Sequence, residues 1–161
     1  MTKSGAKKTN VLRLLDAAGI PYAVKEYPVD ESDLSALNAA EKLGMPAEQV
    51  FKTLVLQGGS GAYWVCCIPA GAELDLKKTA LAAGEKSAAL IPLKDLEPLT
   101  GYIRGGCSPI GMKKKFPTLI DETAELFETI GVSAGLRGMQ IILKPDDLIR
   151  FTGARLADLT G

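Results

Sequence analysis

At 161 residues with 47% hydrophobic content, the chain has the size of one compact domain and enough apolar material to fill a core. Nineteen basic residues balance nineteen acidic ones, so any binding of anions or nucleic acid must come from local clustering and not from a global field. The sequence contains no histidine, which excludes Ser-His-Asp triads, Cys-His dyads and His-ligated metal centres together, and no metal or other cofactor is indicated.

The expected organisation is a single domain over residues 1–161, with residues 1–8 as a loose N-terminal tail. That tail lacks the apolar core of a signal peptide, and no segment approaches the roughly 20 uninterrupted apolar residues of a membrane span, so a cytoplasmic protein is expected. From Thr9 to Ala18 the residues Val11, Leu12, Leu14, Leu15 and Ala18 recur at helical spacing, with Thr9 or Asn10 as the cap and Gly19 as the stop. Tyr22 to Tyr27 alternates as a strand. Ser32 or Asp33 can cap a second helix over Leu34 to Leu43, ended by Gly44 and followed by Pro46. Phe51 to Leu56 and Ala62 to Pro69 flank a Gln-Gly-Gly-Ser-Gly turn and predict a β-hairpin.

Asp75 can cap a third helix through Ala83, closed by Gly84; a strand around Ser87 to Ile91 and a short helix from Pro92 to Leu96 follow. Thr100 to Gly111 carries four glycines and a proline in twelve residues, which predicts a structured turn. Strands are expected over Thr118 to Asp121, Glu128 to Ser133 and Met139 to Leu143, and a final helix over Pro145 to Phe151. There is no internal repeat, and the alternation is too irregular for a βαβ array, so the fold class is α+β.

Three cysteines, two adjacent (Cys66, Cys67) and one forty residues on (Cys107), match neither a disulfide framework nor zinc-ligand spacing. Cys66 and Cys67 read as core. Cys107 invites a thiol nucleophile, but without histidine only a helix terminus or a lysine could lower its pKa enough. The stretch Thr100-Gly-Tyr-Ile-Arg-Gly-Gly-Cys-Ser-Pro-Ile-Gly111 is either an ordinary tight turn or a loop whose backbone approaches a ligand and aims amide N–H groups at a carbonyl oxygen or phosphate. It is neither a Walker A loop nor a Gly-x-Gly-x-x-Gly fingerprint. Lys52 sits within an apolar strand on the face opposite Phe51 and Thr53, so its ammonium must reach solvent, a partner or a ligand. Lys77-Lys78 and Lys113-Lys114-Lys115 are either solvated faces or contacts to nucleic-acid phosphates.

Phe51-Lys-Thr-Leu54, Leu74-Asp-Leu-Lys-Lys78, Thr100-Gly-Tyr102, Gly105-Gly-Cys-Ser-Pro-Ile-Gly111 and Val132-Ser-Ala-Gly-Leu-Arg-Gly138, taken together, resemble the YbaK family. The resemblance runs from about Val11 to Leu159. It implies a mixed, partly closed β-barrel-like sheet flanked by helices, related to the editing domain inserted in bacterial prolyl-tRNA synthetase. It also implies deacylation in trans of cysteine from tRNA for proline and from tRNA for cysteine, beside prolyl-tRNA synthetase.

By the same resemblance, Lys52 matches the family's essential lysine, and Gly105 and Gly106 match its glycine loop. Tyr27, Thr53, Cys107, Ser108, Ser133 and Gln140 fall at positions of a substrate pocket. The chemistry implied is attack by the substrate's own thiolate on its ester, needing no enzymic nucleophile. Cys107, Leu136 and Gln140 depart from the commoner family pattern, which bears on amino-acid specificity, since neighbouring branches clear alanine or serine. A non-catalytic aminoacyl-tRNA or synthetase-binding module and a small-molecule-binding protein on the same scaffold are the competing expectations.

Overall fold

The structure, a computed structural model, describes residues 8–161; most of the expected N-terminal tail lies outside the described residues. Helix α1 (Asn10–Ala18) starts at Thr9, whose hydroxyl accepts the Leu12 N–H at 3.2 Å, and it buries Val11, Leu12 and Leu15. Strand β1 (Ala23–Glu26) follows. Helix α2 (Ala36–Leu43) begins two residues later than its apolar pattern suggests. The carboxylates of Asp30 and Asp33 accept from the Ser32 and Ser35 amides, which makes a turn of this stretch, and Ser35 instead caps the helix through Asn38 N–H at 3.2 Å.

Strands β2 (Phe51–Gly58) and β3 (Tyr63–Pro69) form the expected antiparallel hairpin, with Lys52 opposite Ile68 and Thr53 opposite Cys67. Asp75 caps α3 (Leu76–Ala83) by accepting from the amides of Lys77 and Lys78 at 3.0 Å each. Strand β4 (Ala88–Leu90) leads into a 3-10 turn, Leu93–Asp95, and then α4 (Leu96–Thr100), so the helix expected from Pro92 falls later. The chain then runs through β5 (Thr118–Asp121), β6 (Ile130–Leu136), β7 (Met139–Leu143) and α5 (Pro145–Thr152). A 3-10 turn, Glu122–Leu126, delays the start of β6. A strand missed in the sequence, β8 (Arg155–Ala157), pairs in parallel with β5 after α5.

The class is α+β, but the strands form two sheets and neither closes into a barrel. One is three-stranded and antiparallel, in the order β1-β7-β6; the other is five-stranded and mixed, in the order β4-β2-β3-β5-β8. A single parallel bridge between Val50 and Gly131 stitches them together at the entrance to β2. The larger core lies between the sheets and under α1 and α5, with Leu12, Leu15, Cys67, Ile120, Ile141 and Leu148 within it. On the opposite face of the five-stranded sheet, Leu56, Cys66, Ile68 and Leu119 pack with Leu159 and the alanines of α3. Burial of each such aliphatic side chain contributes about 2 kcal/mol. Cys66 and Cys67 therefore point to opposite faces of β3, both fully buried, and burial pushes each thiol up to about 12.

Candidate active site

Where the two sheets meet, a cavity of about 440 Å³ opens between α2, β2, the β4–α4 segment and the glycine loop. Tyr27, Lys52, Thr53, Gly105, Cys107, Ser133 and Gln140 all line it. Lys52 reaches it from β2, whose alternation buries the neighbouring Phe51 in the core. Partial burial lowers the pKa of Lys52, and the charge of Glu73 opposes that shift without reversing it. Among the described residues no hydrogen bond or ion pair ties Lys52, and no carboxylate lines the cavity.

Ser133 and Gln140 face each other across β6 and β7, beside a register shift between Ser133 and Leu136 where the Ser133 hydroxyl accepts the Gly135 N–H at 3.1 Å. The Gln140 side-chain oxygen is buried without a hydrogen-bond partner, an arrangement that typically costs 1–3 kcal/mol. Tyr27 is anchored by its amide, which donates to Gly138 O at 3.0 Å.

The glycine loop is held from below by the β6–β7 turn. Arg137 Nε donates to Arg104 O at 2.8 Å. Gly105 has φ +87°, a left-handed backbone that disfavours side chains, and a Cβ on Gly106 would lie 3.0 Å from Arg137 N and 3.1 Å from Leu136 C. These two glycines therefore serve different needs: one turns the chain, the other lets two backbones touch. The Gly106 amide is used inside the loop, donating to Ile103 O at 3.0 Å, and Gly106 does not line the cavity. Of the loop residues expected to offer amides, Gly105 and Cys107 line the cavity, and their N–H groups meet no acceptor among the described residues.

Ser108, expected in the substrate pocket, is fully buried away from it, with its hydroxyl accepting the Ile110 N–H at 3.2 Å. Cys107 does line the cavity, but burial, reinforced by the charge of Cys67 and only partly opposed by a hydrogen bond with Thr100, raises its thiol to about 12. A thiol in that state is not a nucleophile at neutral pH.

The lysine runs lie elsewhere. Lys78 binds Asp158 at 3.0 Å and Thr160 O at 2.8 Å, beside Lys77 on the exposed side of α3, while Lys113 reaches Pro98 O at 3.4 Å. Lys114 and Lys115 border a separate cavity of about 240 Å³. Sequence reasoning missed Arg104 and the leucines Leu37, Leu90 and Leu93, which are among the other residues of the lining. A charged side chain beside paired glycines was the one available signal for Arg104.

Around this cavity stand a half-buried ammonium, an exposed guanidinium and two backbone amides that meet no acceptor among the described residues, groups whose chemistry suits a carbonyl or phosphate oxygen. The chain belongs to the aminoacyl-tRNA editing domain family, whose pattern it matches over residues 31–151. It is 48% identical over 158 residues, 98% of this chain and 96% of the relative, to an Enterococcus faecalis protein provisionally named Cys-tRNA(Pro)/Cys-tRNA(Cys) deacylase EbsC. A solved structure provisionally described as a trans-editing enzyme for prolyl-tRNA synthetase is 26% identical and superposes with a TM-score of 0.81, covering 95% of this chain and 98% of that one. Another, of a hypothetical protein, shares the fold at a TM-score of 0.86 and 22% identity, covering 95% of this chain and 100% of the other.

Proposed function

We propose that this chain removes cysteine mistakenly esterified to tRNA for proline, and cysteine from tRNA for cysteine, acting in trans in the cytoplasm beside prolyl-tRNA synthetase. The observation that carries this reading is the meeting of Lys52 with the Gly105 and Cys107 amides in one cavity whose single cysteine is held as a thiol and which no histidine or carboxylate lines. The 48% identical relative bears the same substrates in its name.

The nucleophile is then the substrate's thiolate. Its sulfur attacks the ester carbonyl carbon, the carbon–sulfur bond forms as the bond to the ribose 3′ oxygen breaks, and that oxygen takes up the proton the thiol has lost. The products are a cysteine thiolactone, which water opens, and free tRNA. Lys52 stabilises the thiolate and the charge growing on the ester, while the Gly105 and Cys107 N–H groups donate to the carbonyl oxygen. Tyr27, Thr53, Ser133 and Gln140 shape the wall around the side chain.

The test is release of labelled amino acid from tRNA for proline charged with cysteine, alanine or proline, by wild type and Lys52→Ala in parallel. Selective release of cysteine, reduced about a hundredfold or more in Lys52→Ala (about 3 kcal/mol in barrier), is expected. Release of alanine instead would move the specificity to a neighbouring branch of the family. Binding of tRNA with no turnover of any ester would leave a binding module.

A further inference from the structure

The cavity's mouth has features that cleavage of a small ester does not need. Leu37, Leu90 and Leu93 come from three separate elements (α2, β4 and the following 3-10 turn), yet all line the same opening, and they are 52%, 53% and 59% exposed. Apolar side chains left in water around one cavity mark a surface that an apolar group covers. Leu81 and Leu126 are more exposed still but lie outside this cavity.

Arg104 lines the same cavity as the leucines. It is exposed, its guanidinium makes no ion pair or hydrogen bond among the described residues, and its backbone is clamped by Arg137. With Lys52 it gives the cavity two cations and no carboxylate, on a chain whose net charge is zero. Lys52 is the half-buried cation and Arg104 the one at the surface.

We infer that this mouth is the subsite for the terminal nucleotide of the RNA: the base lies on Leu37, Leu90 and Leu93, and Arg104 binds the 5′-phosphate of that nucleotide. The ester on its ribose then enters the cavity toward Lys52, so the inference rests on the deacylase reading for what the nucleotide carries. Guanidinium matches phosphate by two parallel hydrogen bonds, and an apolar slab matches the face of any base without reading its edge. Nucleotide identity is therefore left to other parts of the RNA or to a partner.

The experiment compares two cysteine esters, 3′-cysteinyl adenosine 5′-phosphate and 3′-cysteinyl adenosine, with wild type, Arg104→Gln, Arg104→Lys and Leu93→Ser. Wild type should favour the phosphorylated ester about ten- to hundredfold in kcat/KM, through KM and not kcat. Arg104→Gln should bring that ratio close to one, Arg104→Lys should restore part of it, and Leu93→Ser should raise KM for both esters while keeping the ratio. Equal loss on both esters in Arg104→Gln, or no preference in wild type, overturns the inference.

Calorimetric binding of adenosine 5′-phosphate against adenosine separates this from the deacylase reading. If neither ester turns over but the phosphorylated nucleoside binds more tightly to wild type and not to Arg104→Gln, the deacylase reading fails and the subsite stands. Equal binding of the two nucleosides, or binding of neither, sinks the subsite.

Discussion

Burial depresses the pKa of Lys52 below its ordinary 10.5, with the Glu73 charge opposing. In the pH window between the lowered value and the ordinary one, the unfolded chain holds more protons at this position than the folded chain. Stability from this group therefore rises with pH across that window and is lowest at neutral pH. Lys52→Met is expected to melt above wild type at pH 7, with the difference shrinking as the window is crossed, while kcat/KM for cysteinyl-tRNA collapses. Thermal melts at several pH values alongside deacylation assays check both. A Lys52→Met protein that melts below wild type at neutral pH would show that the ammonium is held by an attraction strong enough to outweigh burial. A charge inside Phe51-Lys-Thr-Leu54 breaks an apolar alternation and so marks this residue in the sequence, but the pattern leaves solvent, a partner or a ligand open, and its place in a site came from the family resemblance. Arg104 was not legible there, since an arginine in a glycine-rich loop is ordinary until its neighbours in space are known.

Among the elements, the glycine loop and the β6–β7 turn behave as one piece. A methyl on Gly106 would press on backbone atoms of Leu136 and Arg137, which cannot swing aside as a side chain could. Gly106→Ala should lower the melting temperature by several degrees, on the order of 1–3 kcal/mol, and should reduce deacylation further than stability alone explains, because the Gly105 and Cys107 amides move with the loop. Circular dichroism melts and single-turnover rates measured below the transition separate the two effects.

Local chemistry made several elements readable: the Thr9 and Asp75 caps and the Gln57 to Gly61 turn fall where their residue types require. The start of α2 was misplaced because Ser32, Asp33 and Ser35 are equally good caps in isolation. Only the hydrogen bonds of Asp30 and Asp33 select the third. Strand β8 has three residues and no alternation to speak of; it exists because β5 offers it an edge.

For the whole molecule, adjacent residues on two strands couple the two cores. Cys66 and Leu119 belong to the smaller core, Cys67 and Ile120 to the larger. Neither face can be lost without disturbing the strands that carry the other. Unfolding by denaturant is expected to give one transition, with fluorescence of Trp64, the chain's one tryptophan, which packs against the smaller core, coinciding with far-ultraviolet circular dichroism. Leu12→Ala, in the larger core, should cost about 2–5 kcal/mol and shift both signals together. Separate midpoints would show that the cores melt independently. This coupling could not be read from the sequence, because parallel pairing joins Val65 to Thr118 and Leu119 to Arg155 across long stretches of chain with no local mark.

The protonated state of Cys107 also bears on the durability of the protein. A thiolate in this cavity would compete with the substrate's own sulfur for the same activated ester, and each success would leave the amino acid attached to the protein as a thioester. On the proposed chemistry, a Cys107 sulfur held as a thiol would spare the cavity from acylation by its own substrate. After many turnovers, intact-mass spectrometry should find the chain at its unmodified mass, and an added cysteinyl group on Cys107 would show that this protection is absent.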